Sequence, residues 1–343
     1  MTFFVVRRVI FSAVVLSMGF GASLPAQQPF QFPTANHALY EIGNELKFFV
    51  PTAPDKPWTT GSFGCVRTDG RQMHEGLDIR CLQRDRRGEP TDPVMATADG
   101  TVVYFSTKPA LSNYGKYIVI RHLAEGIEIY SLYAHLSEIQ PGLKFGQSVR
   151  AGETIGTMGR TSNTGETITK DRAHVHFELN VFVNEGFSNW YKKAFPGQRN
   201  DHGIWNGQNL NGLDEREILI AEHNPTTKFS LLNFLRSQTE LCRVLVRSTN
   251  FPYLKRYPML VLPNPTVQKE GVAGYEIALN YNGVAFALMP RAASEIKGQA
   301  RFQLLSVNEA EEKAHPCRHL VVRRGGRWQL TDAGIRELEM LTY

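Results

Sequence analysis

A chain of 343 residues, 42% hydrophobic and 21% charged, is long enough for one large or two ordinary domains and has the composition of a folded protein. Its formal charge of +5 is mildly basic, which suits an anionic partner such as a cell wall. No basic stripe is present, so nucleic acid is excluded as the expected partner.

The N-terminus is distinct from the rest. MTFFVVRR supplies two positive charges, VIFSAVVLSMGFGA is an apolar run, and SLPA ends in a small residue before Gln27. Residues 1–26 read as a cleaved secretory signal peptide. The run falls short of the ~20 apolar residues that a spanning helix needs, so no stable membrane anchor is expected after signal removal. The mature protein is expected to be exported, periplasmic or extracellular. That compartment permits disulfides. Of the three ways to pair Cys65, Cys81, Cys242 and Cys317, Cys65 with Cys81 and Cys242 with Cys317 is expected, because each pair would lie within one domain.

Residues 27–60 are rich in Pro and aromatics and read as an extended lead-in with one short helix around Ala38 to Leu46. Across residues 61–183 come strand patterns: TVVYFS, YIVIRH, IEIYSLYAH, QSVRAGETIGTMG and HVHFELNVFV, separated by ADG, SNYG, AEG and AGE turns. Period-2 alternation with Gly and Asn punctuation predicts a mainly β domain. Residues 184–224 are rich in Gly, Asn and aromatics and read as a long insertion without regular structure, where Trp190, Tyr191 and Trp205 either line a groove or pin the loop. Residues 225–343 read as a small C-terminal α+β domain of unknown role. Its helices are predicted near Phe229 to Gln238 and Asp332 to Met340, the second behind a Thr331 cap.

Chemistry concentrates in the β domain. In DRAHVHFEL, His174 and His176 share one face of a strand while Val175 and Phe177 share the other. A lone His-x-His pair is either a hydrogen-bonded surface pair or part of a metal site. Upstream, His74 and Asp78 stand at His-x-x-x-Asp spacing. HEGLD looks like the start of a His-Glu-x-x-His zinc helix, but Asp78 replaces the second histidine and Gly76 disfavours a helix, so Glu75 is a poor candidate base. His135 ends a strand-like run between the two motifs. A closed structural zinc site is disfavoured because no Cys-x-x-Cys pair is present. A cupin is disfavoured because Glu178 follows His176 by only two residues and no later histidine fits.

The order His-x-x-x-Asp, Tyr-x-His-Leu, His-x-His-Phe-Glu resembles the lysostaphin/LytM-type zinc metallopeptidases, the glycylglycine-endopeptidase family of cell-wall hydrolases with a duplicated hybrid motif fold. GSFGCVR, PVMATADGTVVYFS, NYGKYIVIRH and VRAGETIGTMGRTSNTG frame the motifs in the same manner. The resemblance covers about Gly61 to Val183 and is silent about the C-terminal domain. It implies one Zn²⁺ per chain on His74, Asp78 and His176, with His135 and His174 catalytic. Two imidazoles and one carboxylate would leave a fourth position open for water, as a hydrolytic site requires.

The expected function is that of a secreted zinc metalloendopeptidase cutting peptide bonds in peptidoglycan cross-links or stem peptides by attack of a zinc-activated water. Two alternatives stand beside it: a catalytically silent wall-binding or amidase-activating module, and an endopeptidase acting on Gly-rich extracellular protein. Asn36 or His37 in the lead-in is a further candidate, as an inhibitory metal ligand. Oligomeric state cannot be read from the sequence.

Overall fold

The computed structural model describes residues 30–164 and 168–343; the signal-peptide reading lies outside them. No helix among the described residues is long and apolar enough to cross a membrane.

Among the described residues the first half has twelve strands, β1 (Gly64–Arg67), β2 (Gln72–His74), β3 (Leu77–Arg80), β4 (Pro93–Met95), β5 (Gly100–Ser106), β6 (Tyr117–Ala124), β7 (Ile127–Ala134), β8 (Glu138–Ile139), β9 (Ser148–Val149), β10 (Thr154–Thr157), β11 (His174–Phe182) and β12 (Leu210–Gly212). The main sheet runs β12-β11-β7-β6-β5-β9, with β3 pairing the other half of the β11 edge that β12 uses. Pairing is antiparallel throughout this sheet. Every residue of β11 is buried. That explains why it reads as a nearly continuous apolar run: both of its faces are covered, and the polar residues that interrupt the run are those of the site.

The second half carries a four-stranded antiparallel sheet ordered β15-β14-β13-β16, from β13 (Cys242–Val246), β14 (Gly274–Leu279), β15 (Ala285–Arg291) and β16 (Phe302–Val307). A hairpin follows, β17 (Val321–Arg324) with β18 (Arg327–Leu330), and then a helix over Asp332–Leu341. Thr331 caps that helix by accepting from Gly334 N–H, as the sequence predicts, and the earlier helix forms over Leu231–Arg236. The architecture is therefore mainly antiparallel β with few helices.

The halves are closely joined. One apolar cluster includes Phe30, Val175, Leu219, Val244 and Leu341. Tyr257 Oη accepts from Phe182 N–H at 2.8 Å, and Asn282 Nδ2 donates to Gly212 O at 2.8 Å. Arg256 bridges Glu128 and Glu185.

Three expectations need correction. The disulfide joins Cys65 to Cys317, 252 residues apart, while Cys81 and Cys242 are free and buried. Pairing within each domain was expected, but the turn over Pro316–Arg318 packs against β2 and brings Cys317 to β1. The insertion has regular structure: helices over Phe187–Ala194 and Glu215–His223, and strand β12. Trp190 and Tyr191 are buried in the apolar cluster, so they pin the segment. Finally, Asn36 Nδ2 donates to Lys47 O and Arg80 O, and His37 packs against Phe32 and Tyr40. Both lead-in side chains are committed elsewhere and neither borders the metal-ligand group.

Closing so long a loop constrains the unfolded chain strongly. Reduction of Cys65–Cys317 is expected to cost roughly 2–5 kcal/mol. Thermal unfolding with and without reductant reads this as a lowered Tm; an unchanged Tm contradicts it.

Candidate metal centre

The site forms where β2, β3 and β11 meet. β3 and β11 run antiparallel with His176 opposite Asp78, so the two side chains meet on one face. β2 ends at His74 and β3 begins at Leu77, so HEGLD is a strand, a tight turn and a strand rather than a helix. Gly76 makes that turn possible: a Cβ there would lie 2.3 Å from Phe177 O, closer than atoms can approach. The turn thus presses against β11 and delivers His74 to the pair.

Three ligand atoms converge. His74 Nε2 lies 3.1 Å from Asp78 Oδ1 and 3.1 Å from His176 Nδ1, and His176 Nδ1 lies 2.9 Å from Asp78 Oδ1. All three residues are buried. They are the one group of this kind among the described residues.

Hydrogen bonds behind the ligands fix which atoms face inward. His74 Nδ1 donates to Ser62 O at 2.8 Å, so its Nε2 presents a lone pair whenever the ring is neutral. Burial outweighs the Asp78 carboxylate at His74 and lowers its pKa to about 4, keeping it neutral. His176 Nε2 lies 2.8 Å from Glu178 Oε1 and donates to it. Glu178 is fully buried and is itself held by Tyr114 Oη at 2.7 Å and Asn180 Nδ2 at 2.9 Å. Burial opposes charge on His176, but the Asp78 and Glu178 carboxylates prevail and raise it to about 9. Asp78 is held well below the usual carboxylate range: burial acts against this and is overcome by the Arg67 guanidinium and the hydrogen bond from His176. Arg67 Nη2 donates to Asp78 Oδ2 at 2.6 Å, leaving Oδ1 to face the histidines.

This arrangement fits a metal ion. The His74 lone pair and the Asp78 oxygen are both acceptors, and without a positive charge between them they repel. A divalent cation ligated by all three atoms would supply that charge.

His135 and His174 stand beside the ligands, their rings 4.9 Å apart. His135 adopts a positive φ of 62° at the end of β7, an uncommon conformation for a non-glycine residue. There its Nδ1 donates to Thr161 O at 2.9 Å. His174 Nδ1 donates to Arg172 O at 2.6 Å, and its Nε2 lies 3.4 Å from Asp78 Oδ1. Both rings therefore carry their proton on Nδ1 and present Nε2 inward. Burial lowers the pKa of each ring.

The five predicted residues thus meet in one cavity of about 1130 Å³. Sequence reasoning missed Glu178, Tyr114 and Arg67. Glu178 was visible, two residues after His176 on the same strand face, where period-2 alternation places a partner. Tyr114 and Arg67 carry no such signal.

Residues 72–189 match the model of Peptidase family M23. The matched segment carries all five site residues and Glu178. A curated relative, the cell division protein DipM of Caulobacter vibrioides, is 32% identical over 118 residues, which is 34% of this chain and 16% of DipM. An uncharacterized metalloprotease of Haemophilus influenzae is 33% identical over 109 residues, 32% of this chain and 18% of that protein. The chain therefore spans less than a fifth of the length of these relatives. Among solved structures, the catalytic domain of the antimicrobial peptidase lysostaphin from Staphylococcus simulans is 25% identical, with 35% of this chain and 75% of that one covered and a TM-score of 0.25. A zinc-containing peptidase from Vibrio cholerae is 24% identical over 44% of this chain and 36% of that one, with a TM-score of 0.29.

The carboxylate behind His176 gives a prediction. Glu178→Gln keeps the shape but removes the charge that orients and polarises the ring, and is expected to weaken zinc binding about 10- to 100-fold. Competition with a chelator of known affinity measures this; unchanged affinity would show that Glu178 only packs.

Proposed function

We propose that the chain is a zinc metalloendopeptidase acting on peptide bonds of peptidoglycan cross-links or stem peptides. One observation carries this reading: three ligand atoms of His74, Asp78 and His176 converge in a cleft beside two further histidines that each aim an unprotonated Nε2 inward.

Zinc held by the three ligands would polarise a peptide carbonyl and lower the pKa of an attacking water. The protein supplies the remainder. Arg67 and Glu178 orient Asp78 and His176 so that their ligand atoms stay fixed. His135 and His174, kept neutral by burial, can accept a proton at Nε2 and then donate it to the leaving amine or to the developing oxyanion. Thr161 O and Arg172 O lock both tautomers, so neither ring must rearrange before it acts.

Substrate class is tested by incubating the zinc-loaded protein with purified peptidoglycan and, separately, with a glycine-rich protein. The reading predicts new primary amines and peptide fragments from the wall. Cleavage confined to the glycine-rich protein would transfer the chemistry to a different substrate, and no cleavage of either would leave a binding module.

A further inference from the structure

The C-terminal half has no motif of its own, yet it forms part of the cleft wall. Asn282 and Arg318 line the same cavity as the five histidine and aspartate residues. Arg318 directly follows Cys317, so the Cys65–Cys317 disulfide fixes its backbone beside β1 and β2.

Charge on this wall is unbalanced. Among the described residues, Arg67, Arg172 and Arg318 are its three cations. Arg67 is already paired with Asp78. Arg172 is half-buried and donates only its Nε, to Pro51 O at 3.2 Å, which leaves its two terminal nitrogens without a hydrogen-bond partner among the described residues. Arg318 makes no hydrogen bond among the described residues; its Nη2 stands 3.7 Å from Glu337 Oε2, and its side chain is 27% exposed. Glu337 is buried, its pKa is raised by that burial, and its other oxygen accepts from Asn211 at 3.0 Å. Against these cations the wall sets Glu75 and Asp78, and Asp78 is committed to the metal and Arg67. With a divalent ion bound, the described lining would carry an excess of positive charge. The guanidinium N–H donors that Arg172 and Arg318 leave free of hydrogen bonds form planar forks matched to a carboxylate.

We propose that Arg172 and Arg318 bind carboxylate groups of the substrate peptide, so that the C-terminal half makes this cleft selective for anionic peptides over neutral ones such as oligoglycine. The proposal rests on the peptidase reading and narrows its substrate. Both arginines are specificity residues in this account and neither takes part in bond cleavage.

The test measures binding, so it does not depend on turnover. Zinc-loaded protein is titrated calorimetrically with the stem peptide L-Ala-γ-D-Glu-L-Lys-D-Ala as free acid, with the same peptide fully amidated, and with pentaglycine. A lost charge-assisted hydrogen bond corresponds to about tenfold in affinity, so the free acid should bind at least about tenfold more tightly than the amide or pentaglycine. In Arg318→Gln and Arg172→Gln the ratio of acid to amide affinity should fall towards one, and Arg318→Lys should keep part of it.

Equal affinity for acid and amide in the wild-type protein overturns the proposal without any variant having to fold. A preference that persists undiminished in the double Gln variant overturns it too, because the metal would then be holding the carboxylate. If the preference appears as expected while walls yield no amines, carboxylate recognition stands and the peptidase reading fails.

Discussion

Asp78→Ala is expected to abolish stoichiometric zinc binding and to lower wall hydrolysis at least ~10³-fold, the order expected when a group central to transition-state charge stabilisation is lost. The side chain is the one anionic member of the ligand set, and its Oδ1 is the atom that both ligand histidines face. Removing it also leaves Arg67 without its carboxylate, beside two imidazoles that must accept a dication. Repulsion therefore replaces attraction at the centre. Asp78→Asn separates charge from shape: it keeps an oxygen in place and should still bind zinc far more weakly than the native protein. A variant that retains one zinc per chain and full activity would remove Asp78 from the site.

The second large effect has the opposite metal signature. His135→Ala should retain zinc and lose activity by about 10²–10⁴-fold, the usual contribution of a positioned acid–base group. Its ring lies outside the group of three ligand atoms, and Thr161 O holds it by Nδ1 alone. Its left-handed backbone also points to a placement that the sequence pattern of β7 would not choose for folding alone. Metal analysis together with initial rates separates the possibilities. Loss of zinc along with activity would make His135 a ligand, and full activity would make it a bystander.

Much of the site was legible because β-structure has a simple rule. Period 2 places His174 and His176 on one face, and turn signals delimit the strands that flank them. The M23 resemblance could be seen from three short motifs because those motifs are the strand ends that converge. What remained hidden depends on register and on distant packing. Glu178 could be placed on the His176 face, but not identified as the partner of Nε2, because that depends on the ring's orientation. Arg67 reaches Asp78 because β1 pairs with β2 through a bulge between Cys65 and Arg67, which no spacing announces. Cys317 meets Cys65 across 252 residues, so pairing within each domain chose the wrong partners. The same packing carries Arg318 into the cleft, although a segment without a motif gives no reason to expect it there.

The most direct test is the zinc content of residues 27–343, measured by mass spectrometry on native protein and on His176→Ala, with peptidoglycan hydrolysis assayed on both. The account predicts one zinc per chain and release of wall peptides from the native protein, both lost together in the variant. Folded native protein that takes up no zinc, or a variant that keeps its metal and its activity, would contradict it.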